Sequence, residues 1–190
     1  MAFNFDSRIS AFEQLGLWLE HFLKEVENNR FTDDFNSEFQ AIIERQSREN
    51  GWFTQYNIYS SLAAIRDNLQ AESLNNLRFV YGNRIATSWQ EKIVAVVTGA
   101  FFPLVSFYDF MVVLLTGNVL QIKLHADDKL LLPKIAQKLM EIEPDFSEKI
   151  QFVDQLHDFE RVIITEENGH SEVLCQYFSK YPMFVHRRQR

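Results

Sequence analysis

The sequence predicts an α/β fold: a Rossmann-like parallel sheet with helices on both faces, preceded by an amino-terminal helical arm. From Lys92 onward, short β-branched runs alternate with longer stretches that suit helices, which is the order expected of βαβ crossover units. Before Lys92 the apolar residues recur at helical spacing and no strand pattern occurs. These two observations divide the chain into a helical region over residues 1–85 and a Rossmann-like cofactor-binding domain over residues 86–190.

The amino-terminal region is predicted to contain at least three helices. The first covers ISAFEQLGLWLEHFLKEV, whose apolar stripe consists of Ile9, Phe12, Leu15, Leu19, Phe22 and Leu23. The second covers FNSEFQAIIERQSREN and ends at Gly51. Thr54 is placed to cap a third helix, which runs on towards Leu69.

The carboxyl-terminal region is predicted to alternate strands with helices. The predicted strands, in chain order, are KIVAVVT, VLQIKL, KIQFV, RVIIT and MFVHR. A helix is predicted to begin at Pro103 and to end at Gly117, since the run between them is too long for a strand. A second helix follows Asp127 or Asp128, either of which can cap it, and a third covers Ser171 to Lys180.

Three loops are expected to meet at one edge of this sheet. In open α/β sheets, ligands bind outside the carboxyl ends of the strands, where the strand order reverses. This rule places Thr98–Pro103, Lys123–Asp128 and Thr165–His170 along the same edge. The spacing alone leaves open whether any one of these loops binds a ligand or only connects a strand to a helix.

Charge and composition exclude several classes of partner. The net charge of −7 argues against a general binder of nucleic acid or of anionic membranes, because neither attracts an acidic surface. The long apolar run from Lys92 to Asn118 contains Asp109, whose charge is costly inside a bilayer, so no membrane span is predicted. With Cys175 as the single cysteine and no secretory signal pattern at the amino terminus, the sequence predicts a cytoplasmic protein.

One extended segment resembles a known family. VTGAFFPLVSFYDFMVVLLTGNVLQIKLHADDKLLLPKIAQKLMEIEPDF is similar to the acyl-CoA reductases, the fatty acid reductases first known from luminous bacteria, which belong to the aldehyde dehydrogenase superfamily. The similarity extends through RVIITEENGHSEVLCQYFSKYP and includes NGWFTQYNI in the helical region. The resemblance implies an enzyme that passes a hydride from NADPH, with NADH as the alternative, to an acyl group held on a cysteine. Acyl-CoA or another acyl thioester is then the substrate, and an aldehyde is the product.

The resemblance also implies where the cofactor binds. The residues carried over are Thr98, Gly99, Phe102 and Pro103 after the first strand, Lys123 after the second, and Thr165 and Glu166 after the fourth. Two departures from the family pattern predict impaired binding: the turn after the first strand lacks the family's asparagine, and Glu166 stands where the family has a glycine.

No catalytic residue is carried over, because Cys175 does not match the family's nucleophile. The chain is therefore expected to be the cofactor-binding portion of an acyl-CoA reductase without its thiol domain. The alternative is a non-catalytic degenerate or truncated relative that acts as a binding module. A carboxyl-terminal partner domain, or a second copy of the chain, is the expected protein partner, because apolar surface would be left where the absent domain packs.

Overall fold

Five parallel strands form one sheet in the computed structural model of this chain, which describes residues 3–87, 90–99, 102–166 and 171–187. The helices are α1 (Phe5–Glu27), α2 (Asp34–Glu49), α3 (Gln55–Asn68), α4 (Ala71–Thr87), α5 (Phe107–Leu115), α6 (Leu131–Ile142) and α7 (Ser171–Tyr177). The strands are β1 (Ile93–Thr98), β2 (Val119–Lys123), β3 (Ile150–Phe152), β4 (Arg161–Glu166) and β5 (Met183–Arg187). The predicted α/β class is confirmed.

The strand order is β3-β2-β1-β4-β5, and all four pairings are parallel. The chain moves outward from β1 to β3 and then returns to the other side of β1 to form β4. The strand order therefore reverses between β1 and β4, which makes this pair the topological switch point of the sheet.

The sheet carries helices on both faces, as predicted. The first face presents Val94 and Val96, which pack in one cluster with residues of α1, α5 and α6. The second face presents Ala95, which packs with Val162, Ile164 and Phe178 beside α7. The alternation along β1 follows from the two-residue period of a strand, and both faces are apolar because both are covered.

The amino-terminal helices share a continuous core with the first face. Phe12 of α1 meets Phe110 of α5 and Phe146 edge to face, with ring centroids 6.4 and 5.8 Å apart. Gly16, on the next turn of α1, lies so close to α3 that a Cβ there would be 2.8 Å from the Cβ of Leu69. The helical region therefore packs as a second layer behind α5 and α6.

Two predicted helix starts are wrong, and both involve the hydrogen bond between Leu104 and Asp128. Helix α5 begins at Phe107 rather than at Pro103, because Leu104 lies in the left-handed region with φ of 59° and cannot continue a helix. Helix α6 begins at Leu131, after Leu130, which makes no side-chain cap. Asp128 does not cap α6; its carboxylate instead accepts a hydrogen bond from the N–H of Leu104.

The predicted absence of a membrane span agrees with the helices. Among the described helices, none combines the length and the apolar character needed to cross a bilayer. Asp109, whose charge argued against a span, lies in α5 and is buried against the sheet.

Candidate site at the carboxyl ends of the strands

The carboxyl ends of β1, β2 and β4 bring several predicted site residues onto one edge. Thr98 pairs in register with Thr165, and Val97 pairs with Lys123. Thr98 and Thr165 therefore share the first face, whereas Lys123 shares the second face with Val97. The parallel register places these residues on adjacent strands, as the strand-end rule predicts.

The polar groups at the switch point hold the loops together. The N–H of Gly99 donates to the carbonyl of Thr165 over 2.7 Å, which joins the loop after β1 to the end of β4. The hydroxyl of Thr98 accepts from the N–H of His125 over 3.1 Å, which joins the same strand end to the loop after β2. Because these groups already have partners, Thr98 and the N–H of Gly99 position the edge rather than present free donors to a phosphate.

The remaining predicted residues differ in how accessible they are. Lys123, the last residue of β2, is exposed at this edge, and Phe102 is 39% exposed. Pro103 is buried beneath the loop. Glu166 is the last residue of β4, but its side chain lies outside the described part of the chain, as do residues 100–101 and 167–170 of the two predicted loops.

A buried carboxyl group links the loops that follow β1 and β2. Asp128 is only 2% exposed, and its Oδ2 accepts from the N–H of Leu104 over 3.2 Å. Its other oxygen has no hydrogen-bond partner among the described residues. Burial removes water from the carboxylate and raises the pKa of Asp128 to about 7, and the Leu104 hydrogen bond opposes this only in part.

A second buried carboxyl group has a polar neighbour at each of its oxygens. Asp109 of α5 lies over the first face; one of its oxygens accepts from the hydroxyl of Thr165, and the other lies 3.0 Å from Nε2 of His186. His186 pairs in register with Thr165, so Thr98, Thr165 and His186 form one row across three strands. The sequence prediction missed Asp109 and His186, because only the strand order brings them together.

A wide cavity lies at the opposite end of the sheet. It measures about 1090 Å³ and is bounded by the start of α1, the end of α4 and the segments that precede β1, β2 and β3. Its lining carries charges of both signs with no excess of cations, and it includes two ion pairs, Arg78 with Asp6 at 2.9 Å and Lys149 with Glu91. A cavity of this kind gives no charge-based preference for a phosphorylated ligand.

A smaller cavity lies beside Lys123. It measures about 180 Å³ and lies at the carboxyl ends of β2 and β3, where Leu124, Lys129 and Asp154 contribute to its lining. Within the described part of the chain, no three His, Cys, Asp or Glu side chains are grouped closely enough to hold a metal ion.

Comparison with known proteins identifies no relative. The chain matches no protein-family model, and no curated protein matches it at a significant level. The similarity to acyl-CoA reductases therefore stays a prediction from the sequence.

Proposed function

We propose that this chain binds a nicotinamide dinucleotide, NADPH, across the carboxyl ends of β1, β2 and β4, and that it forms the cofactor-binding part of an acyl-thioester reductase. The observation that carries the proposal is the reversal of strand order between β1 and β4. Ligands of open parallel sheets bind at such a switch point. Here the edge also carries an exposed cation, Lys123.

Lys123 favours NADPH over NADH. It is the last residue of β2, and in dinucleotide-binding sheets the end of the second strand lies near the adenosine ribose. An ammonium group there pairs with the 2′-phosphate that only NADPH carries. A second cation, Lys129, lines the neighbouring cavity at the same edge, on the first face of the sheet with Ile122 and Leu124.

The other polar residues of this edge position the loops that follow the strands. The bond from Gly99 to the Thr165 carbonyl and the bond from His125 to the Thr98 hydroxyl fix the loops on either side of β1. A bound nicotinamide supplies a hydride, and the reduction of a thioester also needs a nucleophilic thiol. Cys175 lies within α7, away from the row formed by Thr98 and Thr165, so we assign the thiol to another domain or partner.

The proposal is tested by titrating the chain with NADPH and with NADH while the fluorescence of the reduced nicotinamide is followed. We expect saturable binding of NADPH, and we expect Lys123→Gln to weaken it about tenfold while NADH binding changes little. Lys180→Gln is the matched control, because Lys180 is exposed just before β5 at the amino end of the sheet. Unchanged fluorescence at millimolar NADPH contradicts the proposal.

A non-catalytic binding module is the second candidate, and one observation favours it. The N–H of Gly99 is already bonded within the protein, so the loop after β1 offers a phosphate fewer donors than a glycine-rich turn does. The two candidates differ in the fate of the bound cofactor. NADPH that binds but is not consumed when acyl-CoA and a thiol-bearing partner domain are added supports the module.

A further inference from the structure

We propose that His186 is a ligand-contacting residue of this edge: its Nδ1 accepts a hydrogen bond from a ribose hydroxyl of the bound nucleotide, while Asp109 holds Nε2. This inference rests on the proposed function, since it assigns one contact within the same nucleotide site. It concerns β5, which contributes no residue to the cofactor contacts expected from the sequence.

The position of His186 follows from the register of the sheet. Thr98, Thr165 and His186 are paired across β1, β4 and β5, so their side chains share the first face at the same height. Thr98 and Thr165 flank the switch point where the nucleotide is proposed to lie. His186 is thus one strand further along the same row, within the reach of a ligand that lies across the strand ends.

Asp109 determines which ring nitrogen carries the proton. Its carboxylate is buried; one oxygen accepts a hydrogen bond from the hydroxyl of Thr165, and the other lies 3.0 Å from Nε2 of His186. An ionised carboxylate only accepts hydrogen bonds, so Nε2 at 3.0 Å must carry a hydrogen. In the neutral imidazole this leaves Nδ1 with a lone pair, as in other carboxylate–histidine pairs.

The second nitrogen is available to a ligand. The side chain of His186 is 49% exposed, and no described residue forms a hydrogen bond with its Nδ1. The ring of Phe184 packs against the imidazole at 71° with centroids 4.7 Å apart, which restricts its rotation. Because the imidazole is already restricted, it loses little conformational entropy when a ligand donor binds to its half-exposed ring.

The chemistry of the Asp109–His186 pair favours a hydroxyl of the ligand over a phosphate. When the imidazole is neutral, Nδ1 accepts hydrogen bonds. The oxygens of a phosphate are also acceptors, so no hydrogen would lie between the two groups. When the imidazole is protonated, its charge is compensated by Asp109 at 3.0 Å, so the pair attracts anions weakly. A ribose hydroxyl donates a hydrogen bond to the neutral form and matches it.

The surroundings of the imidazole are formed by the elements packed against β5. The groups that face the ring are Asp109 from α5 and the hydroxyl of Thr165 from β4, with Arg161 on the same face at the other end of β4. Helix α7 packs on the opposite face of β5 and places no charge over the ring.

The test compares His186→Phe with His186→Gln in NADPH titrations at pH 8. At pH 8 we expect His186→Phe to weaken binding about tenfold and His186→Gln to recover most of the loss, because its amide oxygen is an acceptor. His21→Phe is the control, since His21 is also about half-exposed near a carboxylate, Glu25, but lies on α1.

Urea unfolding of each variant shows that the sheet is intact before binding is compared. A purely structural role for the Asp109–His186 pair predicts lower stability with unchanged NADPH affinity, and that result overturns the inference. NADPH that binds His186→Phe as tightly as the unmodified chain also overturns it, and leaves the proposed function standing.

A second probe separates the two proposals if NADPH does not bind. Adding ADP while the imidazole resonances are followed by NMR tests His186 without a nicotinamide. A shift of the His186 signals with ADP supports the inference although the proposed function is wrong, and no shift with either nucleotide overturns both. A ring that carries its proton on Nδ1 in the neutral state also overturns the inference.

Discussion

The two faces of the sheet are built differently. On the first face, Val94 and Val96 lie under α5 and α6, and α1 packs behind them with Phe12 at its centre. On the second face, α7 and the segment before β4 cover a small cluster around Phe178. The first face therefore has two layers of helix and the second face one short helix, so most of the apolar burial lies on the side that the amino-terminal region covers.

Polar groups inside the two faces also differ. On the second face, Gln121 of β2 is fully buried; its oxygen accepts from the N–H of His157 over 2.7 Å, and its amide donates to Gln151 over 3.2 Å. Asp128, in the connection that leads to α6 on the first face, keeps one oxygen without a partner among the described residues. The larger apolar core thus also contains the less satisfied polar group, whose missing partner is costly there because water is excluded.

The largest effect is expected from truncating an aromatic side chain on each face. Phe12→Ala should lower the free energy of unfolding by about 4 kcal/mol, because the side chain is fully buried between two helical layers that cannot close the cavity. Phe178→Ala should cost roughly half as much, because its cluster is small and lies under a single short helix.

Urea unfolding curves of the two variants test this difference. Equal losses, or a larger loss for Phe178→Ala, would show that the second face contributes as much to stability as the first. The amino-terminal helices would then be an appended arm rather than a second layer of the core.

Asp128 should make stability depend on pH. Its pKa is about 7 in the folded chain and 3.8 when unperturbed, so between these values the folded protein keeps a proton that the unfolded chain releases. The free energy of unfolding must therefore fall as the pH rises from about 4 to about 7. The full difference in pKa corresponds to an upper bound on the order of 4 kcal/mol, and we expect about 2 kcal/mol after the turn relaxes.

Asp128→Asn should remove this decline, because the amide does not titrate in that range. Unfolding measured at pH 5 and pH 8 gives the comparison, and Asp154→Asn is the control because Asp154 is exposed at the same edge of the sheet. If Asp128→Asn and the unmodified chain lose equal stability between the two pH values, the carboxyl group is ionised throughout and the proposed origin of the pH dependence is wrong.

The sequence predicted the sheet better than the site. Strands such as β1 could be predicted because a short β-branched run that is buried on both faces has few alternatives to a central strand. The positive φ of Leu104 could not be predicted, since nothing in the sequence PLVS indicates a left-handed leucine. The predicted start of α5 therefore lies too early in the chain. The Asp109–His186 pair was missed for a different reason: it depends on β5 lying beside β4, and a periodic pattern does not state which strands are neighbours.

The smallest effect concerns the contact between α1 and the end of α3, within the helical layer behind the first face. Gly16→Ala should gain about 1 kcal/mol of helix propensity but place a Cβ 2.8 Å from the Leu69 side chain and 3.0 Å from its carbonyl oxygen, a clash that costs about 2 kcal/mol. The net result is a loss of about 1 kcal/mol. Gly82→Ala in α4 is the matched control, because its nearest atom would be 3.7 Å away at the ring of Phe5, so that variant should gain stability. Thermal unfolding that moves both variants in the same direction would show that α1 can shift away from α3, and that the helical layer behind the first face is loosely packed.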